Sequence, residues 1–151
     1  MRRACAYRLR DRYLFHPESS TMSGGWLATA PYVSAPLDSG PETLGEAIAA
    51  ALAASVSGVP HPTSWTGLSK PRLDAAGARS ETAFTHGTRL VSVSLRATTI
   101  ALEATHNGGT KGQNRGFSEL PASAKKLPAA TRLGELGVAF CEMLSRCSGV
   151  D

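Results

Sequence analysis

A chain of 151 residues with 42% apolar and 19% charged side chains fits one soluble globular domain, 1–151, able to bury about 70% of its unfolded surface. Its formal net charge is +4, yet no run of five or more Lys and Arg occurs, which argues against a phosphate-tracking stripe. Cys5, Cys141 and Cys147 are an odd set without a CxxC pair, which argues against a disulfide scaffold or zinc ribbon and for buried free thiols in a reducing compartment.

The segment YRLRDRYLF (7–15) alternates Tyr7, Leu9 and Tyr13 with charged neighbours and predicts one strand. HPESSTMSGG (16–25) then reads as a polar connection bent at Pro17, Gly24 and Gly25. GWLATAPYVSAPL (25–37) is extended and punctuated by Pro31 and Pro36, which predicts edge pairing or a bend.

SGPETLGEAIAAALAAS (39–55) predicts a helix. Ser39 is placed to cap it, Glu42 to complete a capping box, and Pro41 sits in the first turn where its missing donor is harmless. Leu44, Ile48, Ala51 and Leu52 fall on one helical face, and Gly58 and Pro60 end the run. Residues 59–87 read as irregular, with one short helical turn at RLDAAGA (72–78).

RLVSVSL (89–95) and TTIALEAT (98–105) are the clearest strands, with Val91, Val93 and Leu95 on one face of the first and Leu90, Ser92 and Ser94 on the other. HNGGTKGQNRG (106–116) holds four glycines in eleven residues and predicts a loop, followed by an extended GFSEL. ATRLGELGVAFCEMLSRC (130–147) predicts a second helix with Leu133, Leu136, Phe140 and Leu144 on its stripe.

Both helices contain Leu-Gly-Glu, at 44–46 and 133–135, which hints at two similar halves, about 7–58 and 88–147. A glycine inside each helix predicts close approach to a strand or to the other helix, since otherwise each costs about 1 kcal/mol. The expected class is α+β: a mostly antiparallel sheet of four to six strands with two main helices on one face.

No apolar run approaches the ~20 residues of a membrane span, and no apolar stretch follows the N-terminal arginines, so a cytoplasmic location is expected. The chemistry-bearing residues form no arranged set. His16, His61, His86 and His106 fall in predicted loops or at strand ends without ligand spacing, and no G-x-S-x-G turn accompanies the hydroxyls of Ser19, Ser20, Thr21 and Ser23. GGTKGQNRG lacks the Walker order, because Gly112 follows Lys111, so no cofactor is expected. Trp26 and Trp65 lie outside the periodic segments; each reads first as a plug between helix and sheet, and as an interface anchor if exposed.

Taken in order, YLFHPESSTMSGG, PLDSGPETLGEAIAAALAAS, GVPHPTSW, LVSVSL, GGTKGQNRGF and RLGELGVAF resemble the contact-dependent growth inhibition immunity protein family (CdiI), over about residues 7–146. The resemblance implies a small cytoplasmic protein without catalysis, cofactor or small-molecule substrate. Such a protein binds the C-terminal toxin domain of an effector, often a nuclease, as a 1:1 complex, with no membrane or nucleic-acid partner. Because inhibitors of nucleases are often acidic, a basic chain implies an acidic toxin surface, a local carboxylate cluster, or docking away from the toxin's active site. Trp65, Lys111, Gln113 and Arg115 are the expected contacts. Two alternatives stay open: a hydrolase or nuclease using His16 or His61, and a nucleic-acid module using the basic N-terminal strand and the Lys111–Arg115 loop.

Overall fold

Residues 1–149 are described by a computed structural model. The chain opens on a hairpin, β1 (Arg2–Arg8) and β2 (Arg12–Thr21), paired from Arg3↔Glu18 to Arg8↔Tyr13. The single strand expected over 7–15 therefore contains a reversal, closed by the Leu9 amide donating to the Arg12 carbonyl at 2.8 Å. Tyr7, Leu9 and Tyr13 keep one alternation straight through it, and the turn holds no Gly, Pro or Asn to mark it.

The polar stretch after Phe15 also departs from expectation. β2 continues through Thr21, and His16, Ser19 and Thr21 are buried. The hydroxyls are satisfied by distant partners: Ser19 lies 2.9 Å from the Thr29 hydroxyl and accepts from the Val56 amide at 3.2 Å. Only residues 22–25 form the turn, with Gly24 at φ 93°.

β3 (Trp26–Ala28) and β4 (Val33–Pro36) pair with β2 as its outer edge, on either side of a cis Ala30–Pro31 bond. α1 (Pro41–Ala54) follows. Its N-cap is Gly40 and carries no side-chain bond, because the Ser39 hydroxyl donates instead to the Pro36 carbonyl at 2.5 Å. Leu44, Ile48, Ala51 and Leu52 are buried as expected. β5 (Ser57–Val59) then runs parallel to the end of β2.

The helical turn expected at 72–78 is α2 (Lys70–Ala76), closed by left-handed Gly77, and the segment otherwise expected to be irregular also forms α3 (Glu81–Thr85), capped by the Ser80 hydroxyl. β6 (Arg89–Arg96) and β7 (Thr99–Asn107) are the second long hairpin. β8 (Phe117–Glu119) and β9 (Lys125–Pro128), separated by a 3₁₀ turn over Pro121–Ser123, pair along the free edge of β7. α4 (Leu133–Leu144) buries Leu136, Ala139, Phe140 and Met143, and β10 (Ser148–Gly149) runs parallel to the end of β7. Cys147 thus lies beyond the helix expected to carry it. Of the three free cysteines only Cys5 is buried, while Cys141 is exposed.

Four long strands in the order β2-β1-β6-β7 make the centre of one mostly antiparallel sheet, and the six short strands attach at its edges and ends. The fold is α+β, with α1 and α4 on one face over Ala4, Ala6, Phe15, Val91, Val93 and Leu102. The two helices cross at their first turns. A Cβ on Gly45 would stand 1.8 Å from the Leu133 carbonyl oxygen, and one on Gly137 would stand 1.8 Å from that of Pro41. The close approach expected of the shared Leu-Gly-Glu thus belongs to Gly45 and Gly137; Gly134 faces open space.

The order β1–β2–β3–β4–α1–β5 is followed by β6–β7–β8–β9–α4–β10, with α2 and α3 between the two series. That intervening layer covers the opposite face, with Phe84 of α3 packed in one cluster with Cys5, Tyr7, Leu9, Leu14 and Leu90.

Candidate protein-binding site

Strand alternation decides which residues reach the α2–α3 face: Cys5 and Tyr7 from β1, and Leu14, His16 and Glu18 from β2. Register places Cys5 opposite His16 and Tyr7 opposite Leu14. α2 lays Arg72 over this pair of strands, its guanidinium 4.3 Å from the Phe84 ring centroid and ion-paired with Glu81 at the start of α3. Beside it opens a cavity of about 280 Å³ lined by Cys5, Tyr7, His16, Trp26, Trp65 and Arg72, among others.

The floor is polar, and Arg72 and Glu18 are its charged side chains. His16 is 1% exposed, and its Nδ1 donates to the Pro17 carbonyl at 2.9 Å, which leaves Nε2 as an acceptor 3.4 Å from the Tyr7 hydroxyl. Burial pushes the His16 pKa down to about 4, so the ring is neutral near pH 7. Burial also raises the Tyr7 hydroxyl well above its usual range, against the opposing pull of Arg72. The Cys5 thiol is raised by burial and then by the Glu18 carboxylate, which leaves it protonated and a poor nucleophile.

The rim is apolar. Trp65 is 67% exposed and stands edge-on to His61, with ring centroids 5.8 Å apart. His61 is held in turn by the Ser23 hydroxyl at 2.8 Å, which ties the Trp65 loop to the β2–β3 turn. Trp26 lies under the Arg3 guanidinium at 5.0 Å, and Leu68 and Met22 add exposed apolar surface. Trp65 is therefore no plug between helix and sheet.

Past Arg3, which pairs with Glu18 at 3.3 Å and Glu119 at 3.4 Å, the face continues as an open groove of about 610 Å³ bordered by Ser92, Ser94, Glu103 and Lys126. Burial and the neighbouring Glu119 raise the Glu103 carboxyl above its usual range.

The expected contacts divide between two places. Trp65 stands at the cavity mouth. Lys111, Gln113 and Arg115 are exposed on the loop after β7, which rests against α3 through Thr110, 3.3 Å from the Thr82 hydroxyl. All four belong to the α2–α3 side of the sheet, at its two ends. Sequence reading missed Tyr7 and Arg72 as site residues, since their meeting with His16 depends on strand register and on where the helical turn expected at 72–78 packs.

The histidines do not converge. His16, His61, His86 and His106 have separate surroundings, His106 bonding the Ser148 hydroxyl at 2.9 Å, and none of the cavities described holds two of them. Among the described residues no group of three or more His, Cys, Asp or Glu is placed to hold a metal ion, and no helix is long and apolar enough to cross a membrane.

No family model matches the chain, and no curated protein matches it by sequence. Solved structures do. A protein of unknown function, NMB0488 from Neisseria meningitidis, superposes with a TM-score of 0.78 at 19% identity, over 97% of this chain and 94% of that one. A CdiA-CT/CdiI toxin and immunity complex from Yersinia pseudotuberculosis matches with a TM-score of 0.76 at 14% identity, over 97% of both chains. This fold occurs in a toxin–immunity complex. At such identities the likeness is one of fold, and it covers 97% of the chain.

Proposed function

We propose that this chain is an immunity protein that binds and neutralises the C-terminal toxin domain, a nuclease, of a contact-dependent growth inhibition effector. The observation that carries the reading is the end-to-end likeness to a chain of a toxin–immunity complex. The site agrees with binding rather than turnover. An exposed tryptophan at the mouth of a side-chain-sized cavity is the form of an interface anchor. Burial leaves His16 a weak base that holds no proton to donate from Nε2 near pH 7, and the protonated Cys5 supplies no thiolate.

On this reading Trp65 inserts into, or is covered by, the toxin, and Lys111, Gln113 and Arg115 extend the same footprint. A 1:1 complex in the cytoplasm buries about 1,200–2,000 Å² in total.

The test is co-expression with the toxin domain encoded immediately upstream of this gene, with one chain tagged, followed by size exclusion. A stoichiometric complex that survives the column is expected. Two independent peaks, with the toxin still active, would overturn the proposal.

A further inference from the structure

Part of the chain's positive charge gathers at one corner of the fold. At the far end of α2 from Trp65, two hollows of about 290 and 450 Å³ adjoin, sharing Arg10, Ala83 and His86. Arg79 borders the first, and Thr82 and Thr110 the second, from which the 108–116 loop carries Lys111 and Arg115.

The carboxylates of this layer are already engaged. Asp11 pairs with Arg12 at 3.0 Å, Asp74 with Lys70 at 2.8 Å, and Glu81 with Arg72. Among the described residues no carboxylate lies within ion-pair distance of Arg10, Arg79, Lys111 or Arg115, all of them exposed. Arg10 and Arg79 therefore line the two hollows uncompensated, and Lys111 and Arg115 add two further uncompensated cations on the loop beside the second.

Resting on the immunity reading, we propose that the toxin docks with an acidic face on this corner, its carboxylates seated among Arg10, Arg79, Lys111 and Arg115, while an apolar side chain of the same face meets Trp65. Seven residues of α2 separate the corner from the tryptophan cavity, about 10 Å of helix, so one standard footprint of ~800 Å² per partner spans both. The corner favours a protein over a nucleic acid. Its cations do not follow a line, Asp11 interrupts them, and the exposed ring shared by the two hollows is the small imidazole of His86 rather than a Trp, Tyr or Phe platform. A basic inhibitor of a nuclease then has a physical account: it engages an acidic part of the toxin, away from the surface that must attract phosphates.

The test compares association kinetics of the purified chain with that toxin domain, from about 50 to about 500 mM salt. Arg10→Glu with Arg79→Glu inverts the corner, Arg10→Gln with Arg79→Gln only discharges it, and Arg132→Glu with Arg146→Glu inverts two exposed cations flanking α4, on the other face of the sheet, as a control. Circular dichroism checks folding of each.

Inverting the corner is expected to slow low-salt association by about tenfold or more and to flatten its salt dependence, with the discharged variant between it and wild type. The control stays within about twofold of wild type. Corner variants that associate like wild type, in a complex that still forms, would overturn the acidic docking face and leave the immunity reading standing. The acidic docking face falls equally if the corner mutations abolish binding of the isolated chain to a duplex oligonucleotide and spare toxin binding. Absence of any complex with wild type would remove both.

Discussion

Replacing Gly137 by alanine places a methyl carbon 1.8 Å from the Pro41 carbonyl oxygen, where about 3.3 Å is the closest comfortable C···O approach. The partner atom is backbone in the first turn of α1, so no side chain can swing aside. The helices must part by about 1.5 Å, and the core they share over the sheet, Leu44 and Ile48 from one and Leu136 and Phe140 from the other, loosens. Overpacking of this kind costs about 1–3 kcal/mol or more, and the gain in helix propensity returns at most about 1. A clash this deep belongs at the upper end, for a net loss of about 2 kcal/mol and a fall in Tm of about 4–8 °C for a chain of this size. Gly134→Ala, three residues earlier, is the internal control. Its methyl meets nothing within 4 Å and should raise stability by up to about 1 kcal/mol. Urea unfolding followed by circular dichroism measures both. Equal stability of Gly137→Ala and wild type, or an equal loss in Gly134→Ala, would refute the close crossing.

His16, neutral in the fold with a pKa near 4 against about 6.5 unfolded, contributes stability that is full above pH ~6.5 and lost as pH falls toward 4, by about 3 kcal/mol. Urea titrations at pH 7, 5.5 and 4.5 should show that slope, and His16→Gln should lack it; an NMR titration midpoint near 6.5 would contradict the burial. Mass spectrometry after brief alkylation of the native chain should find Cys141 modified and Cys5 untouched until urea unfolds it, given their opposite exposure. Trp65→Ala should leave unfolding free energy within about 0.5 kcal/mol, since its side chain is mostly in solvent, yet weaken toxin binding by about 30-fold or more. A large loss of stability with unchanged affinity would assign it to the core instead.

How far the molecule can be read from its sequence differs by element. α1 and α4 carry apolar stripes at helical spacing, and β6 and β7 alternate with β-branched residues, so local pattern alone finds them. The sheet-and-two-helix class follows from that. The Arg10–Asp11 reversal is hidden because the odd-numbered apolar positions keep their phase on both sides of it. The second half of β2 is hidden for another reason. Ser19 and Thr21 look solvated, and only partners at Thr29, Val56 and Ser23 make their burial tolerable. β9, with two lysines and a terminal proline, is an edge strand without an apolar face to give it away. At the site, Trp65 is conspicuous in an aromatic-poor chain. Tyr7, His16 and Arg72 become a unit only through strand pairing and a distant helix, which no local window of sequence contains.

The central claim is neutralisation, and the most direct measurement is a titration of the toxin domain's nuclease activity with the purified chain at fixed toxin concentration. The account predicts a linear fall in activity that reaches zero at one chain per toxin and stays there. Activity that persists at a several-fold excess of the chain would contradict it.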